Sequence, residues 1–93
     1  MSKHYPAQLL HTLRNQIPIN TVITDILRLD LRRGDTLLRF RCPLCDRFHT
    51  ATNPKTNLAR CFDCQKNFNP IDLVMSVVKC SFVDAVELLK EKL

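Results

Sequence analysis

The sequence predicts a small α+β domain in which helices at both ends of the chain flank an antiparallel sheet. Three observations support this class. Apolar residues recur at helical spacing near both termini, they alternate with charged residues in the middle, and two Cys-x-x-Cys pairs lie within that middle part. A chain of 93 residues is enough for a single domain, 1–93, with a modest core.

The N-terminal third is predicted to contain two helices. The first covers about 6–16 and has one apolar face, formed by Leu9, Leu10, Leu13 and Ile17. Pro18 ends it. The second covers about 20–28, and its apolar face is formed by Val22, Ile23, Ile26 and Leu27. Apolar stripes of this kind predict core contacts and no cofactor site.

The middle of the chain, about 29–64, is predicted to form the sheet. Apolar and charged residues alternate over 29–32 and again over 36–41, and the turn between them contains Gly34, the only glycine. Further strands are predicted over 48–52 and 57–62.

Two C-terminal helices carry clear start signals. Asn69 is a favourable N-cap, and Pro70 after it suits the first helical position. Together they predict a helix over about 70–79. Ser81 with Asp84 three residues later resembles a capping box and predicts a helix over about 82–92.

The cysteine spacing, Cys-x2-Cys-x15-Cys-x2-Cys, is the most informative pattern in the chain. It falls within the range of tetrahedral zinc sites and predicts that four thiolates bind one zinc ion. The ligands would be Cys42, Cys45, Cys61 and Cys64. Four thiolates leave no position for water or substrate, so this zinc is predicted to be structural. A four-cysteine iron site, disulfides and metal-free thiols are the alternatives.

Residues around the four cysteines refine that interpretation. Pro43 is typical of rubredoxin-like iron sites, but those carry glycine after each cysteine pair, where this chain has Asp46 and Gln65. His49, the rival ligand, is predicted to have a structural or surface role. Cys80 is predicted to be a small buried apolar residue.

The remaining composition indicates a cytoplasmic chain that is not an enzyme. No run approaches the ~20 apolar residues of a membrane helix, and the N-terminus lacks the apolar core of a secretory signal. Cytoplasmic thiols stay reduced, which favours metal binding over disulfides. No catalytic triad order, His-Glu-x-x-His or glycine-rich phosphate loop occurs, so no catalytic residue is predicted.

The charge distribution indicates a phosphate-facing surface. The formal net charge of +5 falls to about +3 if four thiolates bind one divalent ion. Between residues 28 and 66, however, nine basic residues stand against four Asp: Arg28, Arg32, Arg33, Arg39, Arg41, Arg47, Lys55, Arg60 and Lys66. An ordinary solvated polar face is the alternative.

Four segments together resemble the zinc-binding domain of bacterial and phage DNA primases, the CHC2-type zinc finger: CPLC at 42–45, CFDC at 61–64, IDLVM at 71–75 and FVDAVELL at 82–89. In that family a Cys-Pro-x-His pair precedes a Cys-Phe-x-Cys pair, and two helices with similar starts follow. The segment 19–43 is also similar, so the resemblance covers about 17–93. Cys45 takes the place of the family's histidine and adds one negative charge.

The resemblance implies a zinc ribbon that engages single-stranded template DNA through basic and aromatic residues of its sheet. Six residues stand where such contacts are expected: Arg39, Arg41, Arg47, Lys55, Arg60 and Lys66. Arg39 and Arg41 would project together from one strand. Phe48 is expected either to stack on a base or to be buried.

Three departures limit the resemblance. QKNFN at 65–69 replaces the family's glycine-rich segment and is expected to form a loop of another shape. The two cysteine pairs are slightly closer together than in typical primases. The chain ends at Leu93 without a catalytic polymerase domain, so these residues are expected not to make primers.

The resulting hypothesis is a non-catalytic, zinc-stabilised module that binds nucleic acid, preferably single-stranded DNA, in replication or primer initiation. The alternative is a protein-interaction module of a replication or mobile-element assembly. In that case the zinc ribbon is a scaffold, and its partner is a protein such as a helicase, a polymerase or a regulator.

Overall fold

The computed structural model describes residues 5–33 and 38–93. The chain begins with helices α1 (Ala7–Asn15) and α2 (Ile19–Thr21), and α2 continues as a π-helical turn (Val22–Ile26). Five strands follow in the described residues: β1 (Leu31–Arg33), β2 (Leu38–Phe40), β3 (Thr50–Asn53), β4 (Leu58–Cys61) and β5 (Lys66–Phe68). The chain closes with helices α3 (Pro70–Val78) and α4 (Phe82–Lys90). Gly34 and Asp35, in the predicted first turn, lie outside the described residues.

The strands form one antiparallel sheet in the order β1-β2-β3-β4-β5, so every strand pairs with its neighbour in sequence. With helices before and after this sheet, the predicted α+β class is confirmed. Strand β5 is the element that sequence reasoning missed, because 65–69 was expected to be a loop. The chain reverses after the second cysteine pair and aligns Phe68 with Ala59, which adds the fifth strand.

One face of the sheet is covered by the helices. Phe40, Ala59 and Phe68 point from three strands into the core, where they join apolar residues of all four helices. Because side chains alternate across a strand, their neighbours point the other way. The opposite face therefore carries the exposed residues Arg39 and Arg60.

A buried side chain ties the N-terminal helices to the sheet. Asn57, in the turn between β3 and β4, has a positive φ of 56° and is 9% exposed. Its amide nitrogen donates to the carbonyl oxygens of Arg14 at 2.7 Å and Ile17 at 2.8 Å, and its oxygen accepts the Ile19 N–H at 2.7 Å. The amide thus pairs backbone groups that α1 and α2 leave free at their ends.

The starts of the C-terminal helices confirm the predicted caps. Asn69 accepts a hydrogen bond from the Asp72 N–H at 2.8 Å and forms a complete capping box with it. Ser81 accepts from the Asp84 N–H at 3.1 Å. Lys79 adopts the left-handed conformation at the end of α3, and this turn separates α3 from α4.

No helix in the described parts of the chain is both long and apolar enough to span a bilayer.

Candidate metal centre

The four predicted thiols meet at one end of the sheet. The Sγ atoms of Cys42 and Cys64 are 3.8 Å apart, those of Cys45 and Cys61 are 3.6 Å apart, and all four lie within 4.8 Å of one another. Four ligands at the usual Zn–S distance of ~2.3 Å in a tetrahedron are ~3.8 Å apart. These separations fit zinc and are far longer than the ~2.05 Å of a disulfide.

Two tight turns present the sulfurs. In the first, the Cys42 N–H donates to the Arg47 carbonyl at 2.9 Å, and the Asp46 N–H donates to the Cys42 carbonyl at 2.9 Å. In both turns a backbone N–H also donates to the first sulfur, from Leu44 to Cys42 at 3.3 Å and from Cys64 to Cys61 at 3.4 Å. Donors of this kind stabilise thiolates, the form of cysteine that binds metal.

The residue after each cysteine pair has the backbone conformation that favours glycine. Asp46 has a φ of 63° and Gln65 a φ of 56°, both in the left-handed region. Since both residues adopt the glycine-type conformation, the lack of glycine after each cysteine pair does not distinguish a zinc site from an iron site.

The pKa values of the thiols diverge because the sulfurs crowd one another. Burial raises the pKa of Cys61, but the Cys64 N–H, the nearby Thr50 hydroxyl and neighbouring thiols outweigh it and lower the pKa to about 6. The Cys45 thiol, followed by burial, raises the pKa of Cys64 to about 12. A backbone N–H from Arg47 lowers the pKa of Cys45, yet burial and the neighbouring thiols leave it above its ordinary value. A divalent cation between the sulfurs would offset this repulsion.

A polar cluster links the two turns beside the sulfurs. Asp63, inside the second cysteine pair, forms a hydrogen bond with His49 Nδ1 and an ion pair with Arg47 at 3.9 Å. The Phe62 N–H donates to the His49 carbonyl at 3.1 Å. His49 is exposed and pairs with a carboxylate, and the metal-binding group found in the described residues consists of the four cysteines alone.

The model of the CHC2 zinc finger matches residues 5–93. This chain belongs to the CHC2 zinc finger family. The match extends from before α1 to the last residue, so the helices and the sheet are both part of the family domain. No curated protein matches the chain.

The family match and the set of four cysteine sulfurs together assign one zinc ion to this CHC2 zinc finger. Cys42, Cys45, Cys61 and Cys64 are the residues that would hold it, and the ion would supply charge neutralisation and a crosslink between the two turns. A CHC2 zinc finger by itself is a non-catalytic module of primase type.

The structure brings two of the six predicted DNA contacts into one row across the sheet. Arg39 on β2 and Arg60 on β4 both pair with Ala51 on β3, so they flank it on the outward face. Asn67 on β5 continues the row beyond Arg60, and the Arg60 guanidinium donates to its side-chain oxygen at 3.4 Å. At the other end of the row, residue 32 on β1 pairs with Arg39.

The other four predicted contacts lie apart from that row. Arg41 donates to the Asp46 carbonyl at 2.8 Å and lies 4.5 Å from the centre of the Phe48 ring. Arg47 pairs with Asp63, and Lys55 is exposed in the turn between β3 and β4. Lys66 pairs with Cys61 in register and therefore projects from the side of the sheet opposite to Arg60.

Phe62 is an exposed aromatic residue, which the sequence predicted only as the last residue of the strand 57–62. Its side chain is 63% exposed, and no other phenylalanine in the described residues is exposed to that degree. Phe48, considered as the stacking residue, is half-buried and covered on one face by Arg41. The available signal was the Cys-Phe-x-Cys motif, which places Phe62 in a tight turn between two predicted metal ligands.

Proposed function

We propose that this CHC2 zinc finger is a non-catalytic cytoplasmic module that binds single-stranded DNA during replication or primer initiation. The observation that carries the proposal is the register of Arg39 and Arg60 on either side of Ala51. Phosphates are bound by unpaired guanidinium groups on an open surface, and this row lies on the face that the helices do not cover.

The charge of this row is available to a ligand. Neither Arg39 nor Arg60 forms an ion pair within residues 5–33 and 38–93, whereas Arg41 and Arg47 each pair with an aspartate. Adjacent strands are ~4.8 Å apart, so the two guanidinium groups emerge from points roughly 10 Å apart. A strand crossing the sheet at right angles to β2, β3 and β4 would meet them in turn.

Zinc supports this surface without contacting the ligand. The two cysteine turns lie next to the ends of β2 and β4, which carry the two arginines. With zinc bound, these strands are joined through a shared ion and the outward face is held in one arrangement. Preorganised contacts bind more tightly because less ordering remains at the moment of binding.

Fluorescence anisotropy of labelled DNA titrated with zinc-loaded protein tests the proposal. We expect single-stranded DNA to bind more tightly than a duplex of the same length. If about four phosphates are neutralised, log K falls against log salt with a slope of roughly −3. Replacing Arg39 and Arg60 with alanine removes about two of these contacts, so the slope should become shallower, at roughly −1.5.

A matched control is the double variant Arg14→Ala/Lys92→Ala, which removes two positive charges from the helical layer. It lowers the net charge by the same amount but leaves the row intact. If it weakens binding as much as Arg39→Ala/Arg60→Ala does, the attraction is general and the row is not the site. No binding at low salt would overturn the proposed function.

A second candidate function, protein recognition, is favoured by a separate cleft. Leu44, at the tip of the first cysteine turn, is 52% exposed and lines a cavity of about 310 Å³ together with Lys66 and Met75. Exposed apolar residues beside a cation suit a protein contact better than a phosphate. Leu44→Asp should abolish association with a helicase or polymerase partner while DNA binding is retained, and the reverse result would exclude this candidate.

A further inference from the structure

The outward face of the sheet contains a recess beside the arginine row. The cavity has a volume of about 180 Å³ and is lined by Arg39, His49, Ala51 and Phe62. That is the liquid volume of about six waters, which is comparable to a single planar ring system. Ala51 forms the floor, and its small side chain leaves the space that a larger residue on β3 would fill.

Phe62 forms an exposed wall of this recess. Leaving so large an apolar side chain 63% exposed forgoes burial that would stabilise the fold. The backbone that carries the ring is held in place, because Phe62 lies between Cys61 and Cys64 and its N–H donates to the His49 carbonyl. An exposed aromatic ring beside cationic groups is the arrangement that single-stranded nucleic-acid sites use for base stacking.

We propose that this recess accepts one unpaired base of a single-stranded nucleic acid, stacked on Phe62 above Ala51. The inference rests on the proposed function and names the contact that gives it its preference for single strands. In a duplex the bases are stacked and paired inside the helix, so none can enter the recess without being extruded. A free single strand offers its bases at no such cost.

The charges around the recess select a base of a nucleic acid over an isolated aromatic molecule. Arg39 on β2 lines the recess itself, and Arg60 lies two strands away on β4, on the far side of Ala51. A base in the recess therefore places its own phosphate and a neighbouring one near the two guanidinium groups. The face also carries His49 with its partner Asp63, which can form hydrogen bonds to the edge of the base.

The test compares two oligomers of equal length and charge, oligothymidine and the same sugar–phosphate chain with abasic sites throughout. For the zinc-loaded protein we expect oligothymidine to bind about tenfold more tightly, the usual effect of one stacked base. Phe62→Ala should lower this ratio to about one, and so should Ala51→Leu, which fills the recess and removes no charge. Val78→Ala, which removes another exposed apolar side chain, at the end of α3, should leave the ratio unchanged.

A spectroscopic measurement reports on the same contact. The chain contains no tryptophan, so Phe62→Trp introduces a single fluorophore at the recess. Oligothymidine should quench its emission, and the abasic oligomer should not. Equal affinity of the two oligomers for the unaltered protein would overturn this inference and leave the proposed function standing. If neither oligomer binds at low salt, the proposed function fails and this inference fails with it.

Discussion

Asn57 offers the sharpest test of how the helices are held on the sheet. Its three hydrogen bonds join it to Arg14, Ile17 and Ile19, at donor–acceptor distances of 2.7 to 2.8 Å. Glycine at this position keeps the positive φ of 56° and removes the amide, so Asn57→Gly isolates the hydrogen bonds.

Each buried hydrogen bond contributes about 1 kcal/mol, and loss of the amide leaves the buried backbone groups without a partner. We therefore expect Asn57→Gly to lower the free energy of unfolding by about 3 kcal/mol, out of the ~5–15 kcal/mol that is usual for a domain. For a domain of this size that corresponds to a fall in Tm of roughly 15 °C. Asn57→Asp should cost more, because a carboxylate would face two carbonyl oxygens.

Thermal unfolding followed by circular dichroism, at saturating zinc, measures the effect. Amide hydrogen exchange at Ile19, whose N–H bonds to the Asn57 oxygen, shows whether the loss is local. Asn53→Ala is the control, since Asn53 is the exposed last residue of β3 and its side-chain oxygen accepts one hydrogen bond, from the Lys55 N–H. If Asn57→Gly lowers Tm no more than Asn53→Ala does, the proposed attachment of the helices is wrong.

Three further predictions concern zinc and the backbone. Cys45→His introduces the histidine that the family motif has at this position, so this variant should still bind one zinc per chain, whereas Cys45→Ala should lose the zinc. Native mass spectrometry measures the zinc content of both variants. Because the pKa values of Cys45 and Cys64 are raised, both thiols carry protons at pH 7, and zinc binding should release at least two protons, measured with a pH indicator in weak buffer. Zinc affinity should therefore fall at least 100-fold for each pH unit below pH 7. An affinity that does not depend on pH would refute the assignment of these thiols as zinc ligands. Lys79→Gly should raise Tm by a few degrees, because Lys79 is left-handed with a φ of 59°. The same change at Lys90, the last residue of α4, should lower Tm, because glycine disfavours the helical conformation.

The sequence predicted those features that depend on local chemistry. The cysteine spacing identified the four thiols that meet, and Asn69 and Ser81 marked the starts of α3 and α4 because caps are local hydrogen bonds. Strand β5 was missed because two of its three residues, Lys66 and Asn67, are of types that are depleted in strands. Pairing with β4 forms this strand, and pairing is a tertiary effect.

The arrangement of the surface could be predicted only in part. Alternation along β2 placed Arg39 and Phe40 on opposite faces, but which strands lie side by side had to come from the fold. The expected DNA contacts therefore included both Lys66 and Arg60, although the register of β4 and β5 sends their side chains to opposite sides of the sheet. Asn57 was read as the first residue of a strand, since nothing in its local sequence reveals three distant backbone partners.

The order of the strands also has a kinetic consequence. Each strand pairs with the next along the chain, so the sheet can form through short loops with little loss of chain entropy. The contacts of Asn57 with the ends of α1 and α2, in contrast, join residues 38 to 43 positions apart. Folding rates fall as such separations grow. We expect the zinc-bearing hairpins to assemble early and the N-terminal helices to dock last, so the outward face would be complete before the core behind it has closed.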